Sequence, residues 1–377
     1  MIKRKRPYII IPKLIEQPTW GGSYIAKMKG WSGMKDFSGK RIGQSYEFFS
    51  GTKLLLSITS SNDMNFIGEL GSPDTPEVFN KTGYEIGKDY IPVSEVTGLA
   101  EKISLIKLTQ SNGNSFQLHI KKGIPDSRWQ PKPETWYYFE DGLVTFGIKK
   151  GISIGDYKNA CKTIESEMKK LSDLVKNKKM DLADAQQKAN QLIAKINPWQ
   201  YVNSHVVKKG SIVDPSLGGI HHSWEEDREK YPLGNVLYEI QKDTMDPVST
   251  IRSFDKGKFK SDGSIRGLDI DDYFKYLDTE PDHNDISKMA PQKKGDSLIK
   301  TSDYSLDLLE IEKETVQETR GSFAHLFVRD GVVEVRADDG TVTLSAGHSC
   351  FIPENVLTYS IMPKGKAIVL KAYTETK

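Results

Sequence analysis

Gln117-Leu118-His119, Lys132-Pro133-Glu134 and Gly218-Gly219-Ile220-His221-His222 are the runs whose reading decides the fold of this 377-residue chain. In an extended strand residues i and i+2 face the same way, so Gln117 and His119 can converge on one point while Lys132 and Glu134 enter the same space from a second strand. One amide oxygen, one carboxylate and two imidazoles form a mixed oxygen and nitrogen shell, and an open position on such a shell is what Lewis-acid catalysis by zinc requires. Each pair alone is ordinary. Gln-x-His in a β-rich segment is often a hydrogen-bonded pair, and Lys-x-Glu is a common exposed cross-strand pattern.

Working outward, the flanking text reads as short strands. Leu54 to Ile58, Ile103 to Leu108, Ser115 to Ile120 and Trp136 to Phe139 are apolar runs separated by Gly-containing turns, the cadence of a barrel or sandwich. Between Asp156 and Ile196 the period changes. Cys161, Ile164, Met168, Leu171 and Val175 recur at helical spacing, and a second helix begins at Asp181, a good N-cap, with Leu182, Ala185, Ala189, Leu192 and Ile196 on one side. The spacing predicts a helical hairpin, inserted over about 154–198, that covers one barrel mouth. A polar stretch, 267–302, reads as a connection, and 303–377 as a second β unit. There Phe323, His325 and Phe327 alternate with Ala324, Leu326 and Val328, and Ala337-Asp338-Asp339-Gly340 makes a hairpin turn. Residues 1–266 form the first unit.

Composition bounds the function. A net charge of +2 argues against a nucleic-acid partner, and the basic MIKRKR start reads as a solvated terminus because Tyr8-Ile9-Ile10-Ile11 stops at Pro12. No stretch has the length of a membrane span, and two cysteines, Cys161 and Cys350, are too few for a disulfide framework. A cytoplasmic enzyme without membrane or nucleic-acid partner is the expectation; oligomeric state is not legible.

The order of motifs carries more. Pro18-Thr19-Trp20-Gly21-Gly22, Gly39-Lys40-Arg41-Ile42-Gly43-Gln44-Ser45-Tyr46-Glu47, the Gln-x-His, the Lys-Pro-Glu-Thr-Trp run, Lys209-Gly210, the Gly-Gly-Ile-His and Leu237-Tyr238-Glu239-Ile240-Gln241 follow one another as in the type I phosphomannose isomerases. The chain resembles that family, zinc enzymes of the cupin superfamily, from about Pro12 to its end. The resemblance implies a mainly β bicupin with two cupin-type barrels or jelly rolls. It also implies one Zn2+ per chain, or another divalent metal, held by Gln117, His119, Glu134 and His221. The first histidine after Gly-x-Ile is the family's ligand position, which favours His221 and leaves His222 to the pocket wall. The carboxy-terminal cupin carries no metal, so His325 and His348 read as structural.

The activity so implied is the interconversion of mannose 6-phosphate and fructose 6-phosphate through a cis-enediol. Lys132, Glu239 and Arg252 would line the cavity as catalytic groups, and Lys132 would lose some of its proton affinity beside a zinc ion. Arg252 with Lys258, six residues on, would hold the sugar phosphate. Arg266 matches an Arg-x-Leu-His element in which Asp269 stands for the histidine. Gln44 and Tyr46 depart from the family's Gly-Glu-Ser-Trp, and Met245-Asp246-Pro247-Val248 lengthens the stretch between Glu239 and Arg252. An isomerase of another sugar or sugar phosphate, and a bicupin that binds sugar without turning it over, stay open as alternatives.

Overall fold

The computed structural model describes residues 5–57, 59–61, 69–71, 89–244 and 246–374. The start of MIKRKR, Ile58 at the end of the first expected strand, and Met245 lie outside them. The chain is mainly β.

Four sheets and a helical layer build it. A five-stranded sheet orders Val202–Val207, Gly142–Ile148, His222–Trp224, Phe116–Leu118 and Ile251–Phe254. A seven-stranded sheet runs Ile212–Val213, Glu134–Tyr138, Asn235–Lys242, Ser104–Ser111, Ile42–Phe48, Lys13–Glu16 and Glu69–Gly71. Between these two lies a core of Trp136, Tyr138, Phe146, Trp224 and Leu237. The other face of the seven-stranded sheet packs on an eight-stranded sheet: Phe48 meets Phe323 and Phe351, and Phe139 and Tyr238 meet Phe327. A four-stranded sheet of Thr315–Glu318, Thr358–Pro363, Val332–Ala337 and Gly340–Ser345 completes the stack. Each fully buried Leu, Ile or Phe in these cores contributes roughly 1.5–3 kcal/mol of transfer free energy.

No sheet closes into a barrel among the described residues, so the expected barrels are open, facing sheets. The eight-stranded sheet also draws from both ends of the chain. Tyr8–Ile11 pairs with Ser349–Ile352 on one side and with Lys53–Leu55 on the other. An apolar run at the amino terminus thus finds one of its two partners more than three hundred residues away.

The helical period of the middle segment gives Ile154–Lys176 and Leu182–Ile196. Ser153 caps the first helix by accepting from the Asp156 N–H, and Asn197 ends the second in the left-handed region. Tyr157, Cys161, Ile164 and Met168 lay one helical stripe over Phe116, Leu118, Ile251 and Phe254, the outer face of the five-stranded sheet. The polar stretch 267–302 is structured. It contributes helix Ile270–Tyr276 to the same layer and strand Ser297–Lys300 to the eight-stranded sheet.

Candidate metal centre

The loop Gly218-Gly219 brings the site together. Both glycines sit at positive φ, +64° and +67°, and a Cβ on Gly218 would lie 2.7 Å from the Ile120 carbonyl oxygen. The Gly219 N–H donates to the His119 carbonyl. Close backbone approach needs glycine here, and it docks the chain before His221-His222 onto the end of the Gln117-x-His119 segment.

Strand geometry then sorts the side chains. His222 lies directly across from Gln117, and Gln117 across from Arg252, so these three share the inner face of the five-stranded sheet. Glu134 opens a strand of the facing sheet, opposite Gln241. Glu134 Oε1 is 3.2 Å from His222 Nε2, and Oε2 is 3.4 Å from His119 Nε2 and 3.2 Å from Lys132 Nζ. The ligand atoms of His119, Glu134 and His222 all lie within 4.8 Å of one another, and all three side chains are buried.

Of the two adjacent histidines, the structure brings His222 rather than His221 to His119 and Glu134. Successive residues of a strand point to opposite faces, so only one of His221 and His222 can look inward. The inward one is His222. His221 points to the helical layer, where Nδ1 shares a hydrogen bond with the Tyr273 hydroxyl and its ring packs edge-on to Phe116, centroids 4.5 Å apart. The family-like spacing counts residues, but the pleat decides which one faces the cavity.

The polar atoms of the cluster fit a divalent cation. His119 Nε2 and both ring nitrogens of His222 are buried without a hydrogen-bond partner, an arrangement that costs free energy unless an ion or another ligand meets those lone pairs. The other nitrogen of His119, Nδ1, lies 2.5 Å from the Ser249 carbonyl oxygen. Donation from Nδ1 leaves Nε2 as the lone-pair donor toward the cluster. Burial and then Lys132 push the His119 imidazole down to about 4, so it is neutral near pH 7 and needs no deprotonation to ligate. Burial pushes the Glu134 carboxyl up, but Lys132 and the two imidazoles outweigh it and hold Glu134 ionised.

The remaining expected residues divide. Glu239 is buried on the same face as Glu134, two residues along from the position opposite it, and pairs with Lys107 Nζ at 2.9 Å. In the sequence Lys107 stands as the polar residue of the otherwise apolar Leu105 to Leu108 run. Arg252 pairs with Asp246 Oδ2 at 2.5 Å and donates to the Thr250 carbonyl. In the sequence Asp246 is only part of the lengthened Met245-Asp246-Pro247-Val248 stretch. Lys258 does not join Arg252 in a shared contact: its ammonium donates to the Gly113 carbonyl, 2.8 Å away, and burial lowers its pKa to about 8. Arg266 pairs at 3.7 Å with Asp255, and Asp269 with Arg128. A cleft of about 630 Å3 beside Asp214, Leu217 and Lys288 lies beyond Thr135, on the other face of the Glu134–Tyr138 strand. The buried cluster, with its unpartnered nitrogens, is the better seat for chemistry.

Residues 294–372 match the family described as "Mannose-6-phosphate isomerase, cupin domain". Solved structures match along the whole length. The mannose 6-phosphate isomerase of Bacillus subtilis superposes with a TM-score of 0.62 at 13% identity, covering 98% of this chain and 99% of that one. A zinc-bound mannose 6-phosphate isomerase gives 0.63 at 13%, covering 99% and 100%. The Salmonella typhimurium enzyme, bound to fructose 6-phosphate and zinc, gives 0.61 at 13%, covering 98% and 100%. The carboxy-terminal region thus matches a mannose-6-phosphate isomerase cupin domain, and the whole chain shares the fold of the solved mannose 6-phosphate isomerases. No curated protein matches its sequence. The likeness is one of architecture across the whole chain and of sequence in its last domain.

Proposed function

We propose that the chain is a metal-dependent aldose–ketose isomerase that interconverts mannose 6-phosphate and fructose 6-phosphate through a cis-enediol. The observation that carries this reading is the buried His119–Glu134–His222 cluster, with its unpartnered nitrogens, in a fold shared with mannose 6-phosphate isomerases. We take residues 1–266 as the catalytic unit with the helix pair as an insertion, 267–302 as the connection, and 303–377 as a cupin without metal.

His119, Glu134 and His222 would hold one zinc or a similar divalent ion, with Gln117 beside them on the His222 face. When bound, the ion supplies Lewis-acid stabilisation of negative charge on the sugar oxygens. The chain's own groups do the rest. Moving the carbonyl between C1 and C2 of the open-chain sugar means taking a proton from one carbon and returning it to the other. Glu239, paired with Lys107, is the group that would take and return that proton. Lys132 is a buried cation beside Glu134, placed to donate to the oxygen that gains negative charge. Arg252, on the inner face and anchored by Asp246, orients the sugar. Trp136 and Trp224, 5.8 Å apart, help to exclude water from the cavity.

A second reading rests on two contacts. The Lys258 ammonium donates to the Gly113 carbonyl and Arg252 pairs with Asp246, and these prior commitments of both cations favour an isomerase of a sugar lacking the phosphate. Assaying purified protein on mannose 6-phosphate and on mannose, before and after chelation and after zinc is restored, separates the two. Activity that disappears with chelation and returns with zinc is expected, on the phosphorylated sugar. Turnover of mannose alone would favour the second reading. Folded, zinc-loaded protein that turns over neither would contradict both.

A further inference from the structure

The two histidines of the cluster are supported unequally. His119 has its own latch, the Ser249 carbonyl at 2.5 Å from Nδ1. His222 has none: its Nε2 faces Glu134 Oε1 at 3.2 Å, but its other nitrogen, Nδ1, has no hydrogen-bond partner, and its ring is touched edge-on by Trp136, centroids 5.0 Å apart. A ligand histidine is normally oriented by a hydrogen bond to its other nitrogen, so something else must fix His222. One residue earlier the missing support is present. His221 is fully buried on the opposite face, bonded through Nδ1 to the Tyr273 hydroxyl, with the Tyr157 hydroxyl 3.5 Å from the same atom and the Phe116 ring against it. Its carbonyl accepts from the Gly147 N–H at 2.7 Å, tying the same peptide to the neighbouring strand.

We infer that the Tyr273–His221 pair is a positioning device for His222, acting through the shared strand from the face opposite the metal. Fixing the His221 side chain and carbonyl sets the twist and register of Ile220-His221-His222, and so where the His222 imidazole can point. Tyr273 lies on helix Ile270–Tyr276 and Tyr157 on the first of the two long helices, so the helical layer contributes to metal affinity as well as covering the sheet. This rests on the proposed metal role of His119, Glu134 and His222.

The test is the Zn2+ dissociation constant, with Co2+ absorption as a report on coordination geometry. Tyr273→Phe removes one hydroxyl with little change in volume and should weaken zinc binding roughly tenfold and alter the cobalt spectrum, in line with the loss of a group supporting a ligand. Tyr276→Phe, on the same helix but bonded to Asp126, should leave both unchanged. Tyr157→Phe should shift zinc affinity in the same direction by less, and serves if Tyr273→Phe does not fold. Wild-type affinity and spectrum in a folded Tyr273→Phe protein would overturn the inference while leaving the proposed site intact. A wild-type chain that binds no zinc would overturn the site and the inference together.

Discussion

Two pairs of buried histidines sit in this molecule, and only one pair has the surroundings of a metal centre. His119 and His222 flank Glu134, whose two oxygens face one imidazole each at 3.4 and 3.2 Å. In the carboxy-terminal region His325 and His348 are as deeply buried, but the nearby acid is already committed. Glu47, 0% exposed, takes Lys29 at 2.7 Å and accepts from Ser45 at 2.6 Å and Ser349 at 3.1 Å. His325 Nδ1 lies 3.2 Å from the Tyr238 hydroxyl, and His348 packs edge-on to Trp31. Burying histidines in a sheet does not make a metal site. Both carboxylates have an ammonium partner, Lys132 for Glu134 and Lys29 for Glu47; what distinguishes the first pair is that each oxygen of Glu134 also faces an imidazole, where Glu47 takes two hydroxyls.

That contrast can be broken at Lys29. Lys29→Met leaves Glu47 as a buried charge without its partner, so the account expects a loss of about 3–5 kcal/mol of stability by denaturant unfolding, with zinc content unchanged. A variant that instead lost zinc at full stability would mean the two regions are not independent. A smaller effect sharpens the comparison. Burial lowers His325 to about 3 and His348 to about 4, so both are neutral in the folded chain while the unfolded chain takes up their protons near pH 6.5. The unfolded state then binds more protons between about pH 6.5 and 4. The stability of chelated protein should therefore be full above that window and fall as pH drops through it, by up to about 1.4 kcal/mol per pH unit per histidine. His325→Gln should flatten the slope; an unchanged slope would show that His325 does not titrate on unfolding.

Much of this was legible in the sequence, and what was not has a physical reason. The period change near Asp156 marks the helix pair, and the i, i+2 pairs mark the end of strand Phe116–Leu118, just before His119, and the start of strand Glu134–Tyr138. Gly218-Gly219 marked a close approach, but nothing in the sequence named the His119 carbonyl as its target. Which of His221 and His222 faces inward is not legible in the sequence, because it depends on cross-strand register, here His222 opposite Gln117, which spacing along one segment does not contain. The amino-terminal strand escaped for a similar reason: Tyr8–Ile11 is a plausible strand by itself, but its partner in Ser349–Ile352 is a long-range pairing. Lys258 kept the expected spacing from Arg252, yet the chain between them directs it to Gly113.

The most direct test of the central claim is zinc stoichiometry, by elemental analysis, in purified wild-type, His222→Ala and His221→Ala proteins. About one zinc per chain in wild type, none retained by His222→Ala, and a weakened but measurable site in His221→Ala is the predicted result. Zinc retained by His222→Ala and lost by His221→Ala would contradict it and return the ligand to the residue that the sequence alone suggests.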